Sequence, residues 1–345
     1  MATRTLLVGN PTAQSGKAQV RIDRALRAMA RRGMDPELLA TEPAGATVQS
    51  VARRLDRDDL PAVAQVVYLG GDGTFREVAS GILTAQEPRP LGMLPSGTAN
   101  NQGKSFGIRA AASALEENLD TIQAGFIKHL DVGRIERLGA DDSVVEWTWF
   151  YDSAGFGMQS EVLVQRNRDR GLVGTIPLLR EFYRDQAVYA GAMLQKLISG
   201  YLEPTRFDAE VTSDGTTWHF EDLTDLIVSG TPVYAGEWVL DRESLPDDGL
   251  FELVPMQGRR DMASKALMDL KALPIWREHV EAFGLRHTKG YSGRRFDIHL
   301  LRPERALVAA QLDGEEWGVG DRYRIEVLPR LLPIIVPAGW IPTWW

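Results

Sequence analysis

The chain reads as two domains of different class: an open, mostly parallel α/β domain over residues 1–130, then a mainly antiparallel β-sandwich over 131–330, followed by an apolar Trp/Pro-rich stretch, 331–345. Three observations lead there. A length of 345 residues suits two domains of ordinary size. Before Gly125, short apolar runs alternate with amphipathic helical patterns; after it, strand-like runs follow one another with few helices between. Hydrophobic content of 44% and charged content of 25% are those of a folded globular protein.

Taken in order, residues 5–8 read as a strand closed by Gly9-Asn10-Pro11. A polar loop then leads at Lys17 into a basic amphipathic helix to about residue 32, with Ile22, Leu26 and Met29 on its apolar stripe. Residues 37–40 are a second strand leading to Thr41, and 46–55 a helix. The run 63–69 is a buried strand that stops at Gly70-Gly71-Asp72-Gly73; a helix follows from Thr74 to about residue 85, with Phe75, Val78, Ala79 and Ile82 on one face. A strand at 90–94 ends in Pro95-Ser96-Gly97-Thr98-Ala99-Asn100-Asn101, and 110–124 is helical. The domain boundary falls within 125–135. Beyond it, strands are expected at 126–132, 147–154, 205–212, 218–220, 226–229, 250–255, 293–300, 306–313 and 323–328, with helices at 163–198 and 262–273.

Composition narrows the function. A net charge of −8 gives no electrostatic case for nucleic acid, and leaves membrane contact to local patches. The absence of cysteine excludes disulfides, thiolate metal sites and a cysteine nucleophile. The N-terminal residues show no signal-peptide apolar region and no stretch reaches the ~18–20 apolar residues of a membrane span, so a cytoplasmic chain is expected, with peripheral contact at a membrane surface as an option.

Strand, glycine loop and helix together hold phosphate: glycines bring backbone N–H groups close, and the helix N-terminus favours negative charge. The same pattern also serves many ordinary turns. Asp72 inside the loop makes most sense with Mg²⁺ between it and bound phosphates. Three strand ends carry such loops, 9–17, 70–74 and 95–101, and in an open parallel sheet all three lie along the carboxyl edge, where Thr41 can join them. The first loop is not a Walker A sequence, and the second is not a dinucleotide fingerprint. Lys17 and Arg21 read equally as phosphate contacts or as a solvated helix face.

Asn10-Pro11 with Ser15-Gly16-Lys17, then Gly70-Gly-Asp-Gly-Thr74, then Pro95-Ser-Gly-Thr-Ala-Asn100, resemble in that order the diacylglycerol kinase catalytic-domain superfamily, which includes sphingosine and ceramide kinases. Ala154-Gly155-Phe156-Gly157, Leu245-Pro-Asp-Asp-Gly-Leu-Phe251 and Leu312-Asp-Gly-Glu315 are similar to later motifs of the same family. The resemblance implies an ATP- and Mg²⁺-dependent transfer of phosphate to a lipid hydroxyl, diacylglycerol foremost, with ATP across the three loops and lipid in the second domain. It makes Asn10, Lys17, Thr41, Gly70, Gly71, Asp72, Gly73, Thr74, Gly97 and Thr98 nucleotide-binding candidates, with Asp72 beside the catalytic Mg²⁺. It makes Glu315 the catalytic base, and Asp248 with the carbonyls of Leu245 and Leu250 the holders of a second Mg²⁺. Two departures stand out. Asn101 occupies a position where the family usually has Asp, and an amide supplies no negative charge to a metal; Ala13-Gln14 lengthen the first loop.

Plainer readings exist for several of these residues. Pro246-Asp-Asp-Gly249 is ordinary turn chemistry, and Asp313-Gly314 is a hairpin signal. The five histidines show no ligand spacing. Arg166, Arg168 and Arg170 beside the apolar run 171–179 read as a charged helix end before a core segment, with an anionic-lipid contact as the alternative. Residues 331–345 suit either a bilayer interface, through their terminal Trp residues, or a return onto an apolar surface of the protein. Rival functions are an NAD or sugar kinase, since those also use Gly-Gly-Asp-Gly-Thr, and a weakly active lipid- or nucleotide-binding protein, which Asn101 motivates.

Overall fold

β1 (Thr5–Gly9), β3 (Gln65–Gly70) and β4 (Leu91–Pro95) are short Val/Leu-rich runs buried along nearly their whole length, the mark of parallel strands covered on both faces. With β2 (Pro36–Ala40) they pair in the order β2-β1-β3-β4, all parallel. The chain steps outward from β1 to β2 and then back past β1 to β3, so the strand order reverses between β1 and β3, where a ligand crevice is expected in such sheets. α1 (Lys17–Arg31) and α5 (Leu115–Ala124) bury Ile22, Met29, Leu119 and Ile122 against Leu7, Val67, Leu69 and Leu94. α2 (Thr47–Leu55) buries Val51, and α3 (Asp72–Thr84) buries Phe75, Val78 and Ile82. A five-residue α4 (Asn101–Ser105) follows the third loop.

The structure is a computed structural model that describes residues 4–13, 17–97, 99–158, 160–161, 163, 206–231, 233–234, 238–239, 244–258, 290–302 and 307–341. It divides into two units: Met1–Val132 with Pro329–Thr343, and Gly133–Leu328. β5 (Ile127–Leu138) carries the chain out of the first unit, and β18 (Arg322–Ile335) carries it back.

In the second unit, one sheet contains β6 (Val144–Phe150), β8 (Phe207–Ser213), β9 (Thr216–Leu223) and β15 (Arg295–Leu301) with residues 133–138 of β5 and 322–328 of β18. The other contains β7 (Ser153–Gly157), β10 (Asp225–Ser229), β13 (Phe251–Met256), β14 (Tyr291–Gly293), β16 (Val308–Leu312) and β17 (Glu315–Gly320), in the order β14-β13-β10-β7-β16-β17, every pair antiparallel. Two-residue strands β11 (Val233–Tyr234) and β12 (Trp238–Val239) pair separately. Alternate residues of both sheets meet in one core, with Phe156, Val228 and Leu253 from one and Phe207, Ile298 and Ile325 from the other. This is the α/β domain followed by an antiparallel sandwich that the alternation of patterns predicts.

Several details differ from the sequence reading. α3 begins at Asp72, not Thr74, because the Phe75 N–H already bonds the Gly71 carbonyl at 3.0 Å. The run 147–154 is two strands, and β17 and α4 were not foreseen. Nor does the last strand end at residue 328: it continues through Pro329 and Pro333, with Leu332, Ile334 and Ile335 fully buried and Ile334 opposite Leu91 of β4. Residues 331–341 therefore belong to the first unit rather than forming a separate stretch, and Trp340 packs on Phe106, ring centroids 5.2 Å apart. Residues 342–345, the basic cluster at 166–170, the run 171–179 and the helices expected at 163–198 and 262–273 lie outside the described residues, apart from Leu163 itself.

Candidate active site

Four strand ends of the first unit come together as a set of hydrogen-bonded loops. The Thr41 N–H bonds the Gly9 carbonyl at 3.0 Å, joining the ends of β2 and β1. The Ser96 N–H bonds the Gly70 carbonyl at 2.7 Å, joining β4 to β3. Arg21 of α1 reaches the Ser96 carbonyl at 3.4 Å. Asn10 closes its own loop, its amide oxygen accepting the Thr12 N–H at 3.0 Å and the Thr12 hydroxyl at 2.9 Å.

The second and third loops touch backbone to backbone. A Cβ on Gly97 would lie 2.5 Å from the Gly71 Cα, so this approach requires glycine. Asn100 shapes the third loop: its Oδ1 accepts the Gly97 N–H and its Nδ2 donates to the Gly97 carbonyl, both at 2.8 Å. Its backbone is left-handed, φ 54°, which Asn tolerates better than other residues with side chains. The turn set by Asn100 opens α4, whose first N–H groups face Asp72; the Gln102 N–H reaches Asp72 Oδ1 at 3.4 Å. Burial holds the Asp72 carboxyl above the ordinary aspartate range, and the N–H groups of Gln102, Asn101 and Asn100 act against that shift. The structure thus brings Asn10, Thr41, Gly70, Gly71, Asp72, Gly73, Thr74 and Gly97 to one sheet edge. Thr98 lies outside the described residues, and of Lys17 only the backbone is described.

In the second unit, Asp313 and Gly314 form the two-residue turn between β16 and β17, with φ values of 53° and 78°. Left-handed backbone at both positions is the type I′ hairpin that Asp-Gly favours. Glu315 is the first residue of β17, opposite Leu312, with its side chain exposed. Asp313 is buried and its Oδ1 accepts the N–H groups of Tyr151, Asp152 and Ser153 at 3.0, 2.7 and 3.3 Å. The Asp313 N–H returns to the Ser153 carbonyl at 2.9 Å, and β16 pairs with β7, Leu312 opposite Ala154. The Asp-Gly-Glu turn and the Ala154–Gly157 strand are therefore one construction. Sequence reasoning missed the anchoring role of Asp313; the only signal was an Asp where any type I′ residue would suffice.

Asp248 lies in an exposed turn before β13, its Oδ1 accepting the Leu250 N–H at 2.9 Å. Desolvation, with repulsion from Asp247, holds its carboxyl above the ordinary range. Among the described residues no three His, Cys, Asp or Glu side chains cluster as metal ligands. No described helix is long and apolar enough to cross a membrane.

Comparison with known proteins agrees with these arrangements. Residues 4–135 match the diacylglycerol kinase catalytic domain. The chain is 25% identical over 317 residues to a diacylglycerol kinase of Bacillus subtilis, covering 92% of this chain and 91% of that protein. It is 27% identical over 253 residues to one of Mycobacterium tuberculosis, covering 72% and 71%. Among solved structures, a putative diacylglycerol kinase of Bacillus anthracis shares the fold, with a TM-score of 0.70 at 17% identity and coverage of 98% and 97%. A yeast NADH kinase bound to NADH shares it more distantly, with a TM-score of 0.52 at 10% identity, covering 100% of this chain and 86% of that one. The first unit thus carries a match to the diacylglycerol kinase catalytic domain over residues 4–135, and relatives named diacylglycerol kinase align over most of the chain's length.

Proposed function

We propose that the protein is a Mg²⁺-dependent diacylglycerol kinase, transferring the γ-phosphate of ATP to the free hydroxyl of diacylglycerol or a closely related lipid. The observation that carries this reading is the joined loop set at the β1/β3 reversal, with Asp72 held against the amides of Asn100–Gln102, inside the segment that matches the kinase catalytic domain. Backbone N–H groups at these loops and at the start of α3 take the phosphates, Asn10 and Thr41 border them, and Gly97 closes the far side. Glu315 accepts the proton of the lipid hydroxyl as that oxygen attacks phosphorus; its exposed carboxylate, on a hairpin whose turn is anchored through Asp313, suits the task. Mg²⁺, when bound, neutralises charge on the transferring phosphate. The oxygen donors present fit a largely hydrated ion: Asp72 near the phosphates, and Asp248 with the carbonyls of Leu245 and Leu250 for a second, structural site. Contact with a membrane surface is transient and serves substrate capture.

Incubating the protein with labelled ATP and Mg²⁺ against diacylglycerol, sphingosine, ceramide and NAD⁺ tests the reading. One labelled lipid, phosphatidic acid, is the expected product, lost in Asp72→Ala and Glu315→Gln. Label on NAD⁺ alone, or ATP binding without turnover on any acceptor, overturns it in favour of the NAD-kinase or binding-protein alternatives.

A further inference from the structure

Two buried donors in the second unit have no part in the reading above. On β7, Ala154 and Phe156 lie in the sandwich core, so Ser153, Gly155 and Gly157 face the other side of their sheet. Gln311 of β16 stands opposite Gly155 and shares that side, since Val308, Ala310 and Leu312 take the core. Gln311 is 1% exposed, and its amide orientation is set by chemistry: Oε1 accepts the Gly314 N–H at 2.7 Å, which leaves Nε2 as the donor. That Nε2 is buried without a hydrogen-bond partner, and so is the Ser153 hydroxyl. Gly155 makes the arrangement possible, because a Cβ there would lie 2.6 Å from Nε2. Buried donors left unpaired are costly, and native proteins retain them chiefly where a ligand or an ordered water completes them.

The character of the face narrows the ligand. Both orphan groups can donate, and neither is charged. The ionisable side chains that β10 and β13 place on the same side, Asp225 and Glu252, are acidic, so those strands bring no cation to receive an anion. A neutral, acceptor-only group is what remains, and a carbonyl oxygen meets that description. Gln311 also holds the turn that carries Glu315, so a molecule bonded to Gln311 sits on the hairpin of the residue assigned as base.

We propose that Gln311 Nε2 and Ser153 Oγ donate hydrogen bonds to the ester carbonyl oxygens of the acceptor lipid, making the protein selective for ester-linked over ether-linked diglycerides. This rests on the lipid-kinase reading. Ether-linked diglycerides keep the same hydroxyl and chains but lack both carbonyls. The test compares diacylglycerol with dialkylglycerol of equal chain length in mixed micelles, for wild type, Ser153→Ala, Gln311→Glu and Gly155→Ala. Gln311→Glu keeps the acceptor for Gly314 and removes the donor; Gly155→Ala displaces the amide without changing its chemistry.

Wild type is expected to favour the ester by about tenfold or more in kcat/KM. Each variant should lose on the ester and hold on the ether, so the ratio falls toward one while KM for ATP stays constant. Loss on both substrates in one variant signals misfolding of that variant, and the other two then decide the matter. A wild type indifferent to the carbonyls, or variants that keep the wild-type ratio, overturns the assignment while leaving the kinase reading standing. A wild type that phosphorylates neither diglyceride overturns both.

Discussion

Gly97→Ala probes the loop set more sharply than loss of any charged group, because it adds one methyl and removes nothing. The added Cβ would lie 2.5 Å from the Gly71 Cα, whereas carbon atoms rest about 3.5–4.0 Å apart. The two loops must therefore part by roughly 1 Å, and neither can yield by rotating a side chain, since the neighbour is backbone. Asn100 resists the separation through its paired bonds to Gly97, and the Ser96–Gly70 bond resists it at the strand ends. Displacement of about that size at a reacting centre costs roughly 100-fold in rate. Overpacking of this kind costs about 1–3 kcal/mol of stability, a few degrees in melting temperature for a domain of this size. The assay is steady-state turnover with KM for ATP, beside a thermal melt. A variant with wild-type kcat and ATP KM would show that the contact between the loops does not position the nucleotide, and the reasoning would fail.

Four further outcomes follow from the same geometry. Glu315→Gln should lower kcat by roughly 10²–10⁴-fold with KM for ATP unchanged and the melt unaltered, since its side chain is exposed; a smaller loss would move the base elsewhere. Asp313→Ala strands three backbone N–H groups at 151–153 and should both lower the melting temperature by several degrees and cut kcat, with rescue of both by Asp313→Asn only partial. Asp72→Asn should abolish turnover yet melt at or above the wild-type temperature at neutral pH. Folding raises the Asp72 pKa above its unfolded value, so the fold favours the protonated acid; that stability is present at low pH and lost as pH rises through the raised value, and the gap between variant and wild type should close in acid. Asn100→Ala removes the amide clamp and also strains the left-handed backbone that glycine tolerates, so it should weaken ATP binding more than Asn100→Gly does, as nucleotide titration would show.

Much of the fold is legible in the sequence because burial writes itself as period. Val66, Val67, Tyr68 and Leu69 read as a strand since every one of them is buried, and Ile22 and Met29 read as a helix face for the same reason, with Leu26, the third residue of that stripe, half-buried beside them. The elements that escaped notice lack such a signature. α4 is five residues, Asn101 to Ser105, with a glycine inside and no apolar stripe; it exists because Asn100 turns the chain and Asp72 receives its first N–H groups. β17 contains Gly318 and Gly320, and only its pairing with β16 makes it a strand. β18 runs through two prolines that read as breakers, and burial of Leu332 and Ile334 overrides them. At the site, the glycine loops announced a phosphate cradle, but the touch of Gly71 on Gly97 and the anchoring of Asp313 by residues 151–153 join segments distant in sequence, which no local pattern records.

The return of β18 to the first sheet bears on how the chain is made. Residues 329–336 are synthesised about 200 positions after Val132, and at roughly 5–20 residues per second this is an interval of about 10–40 s. Throughout that time β4 lacks the neighbour that Ile334 supplies, and the core around Leu7 and Leu94 lacks Ile335. The nascent catalytic half therefore waits on the ribosome with an open sheet edge, while the sandwich is translated in between. Translation of the last strand, not the emergence of the first domain, sets the moment at which the loop-bearing sheet is complete.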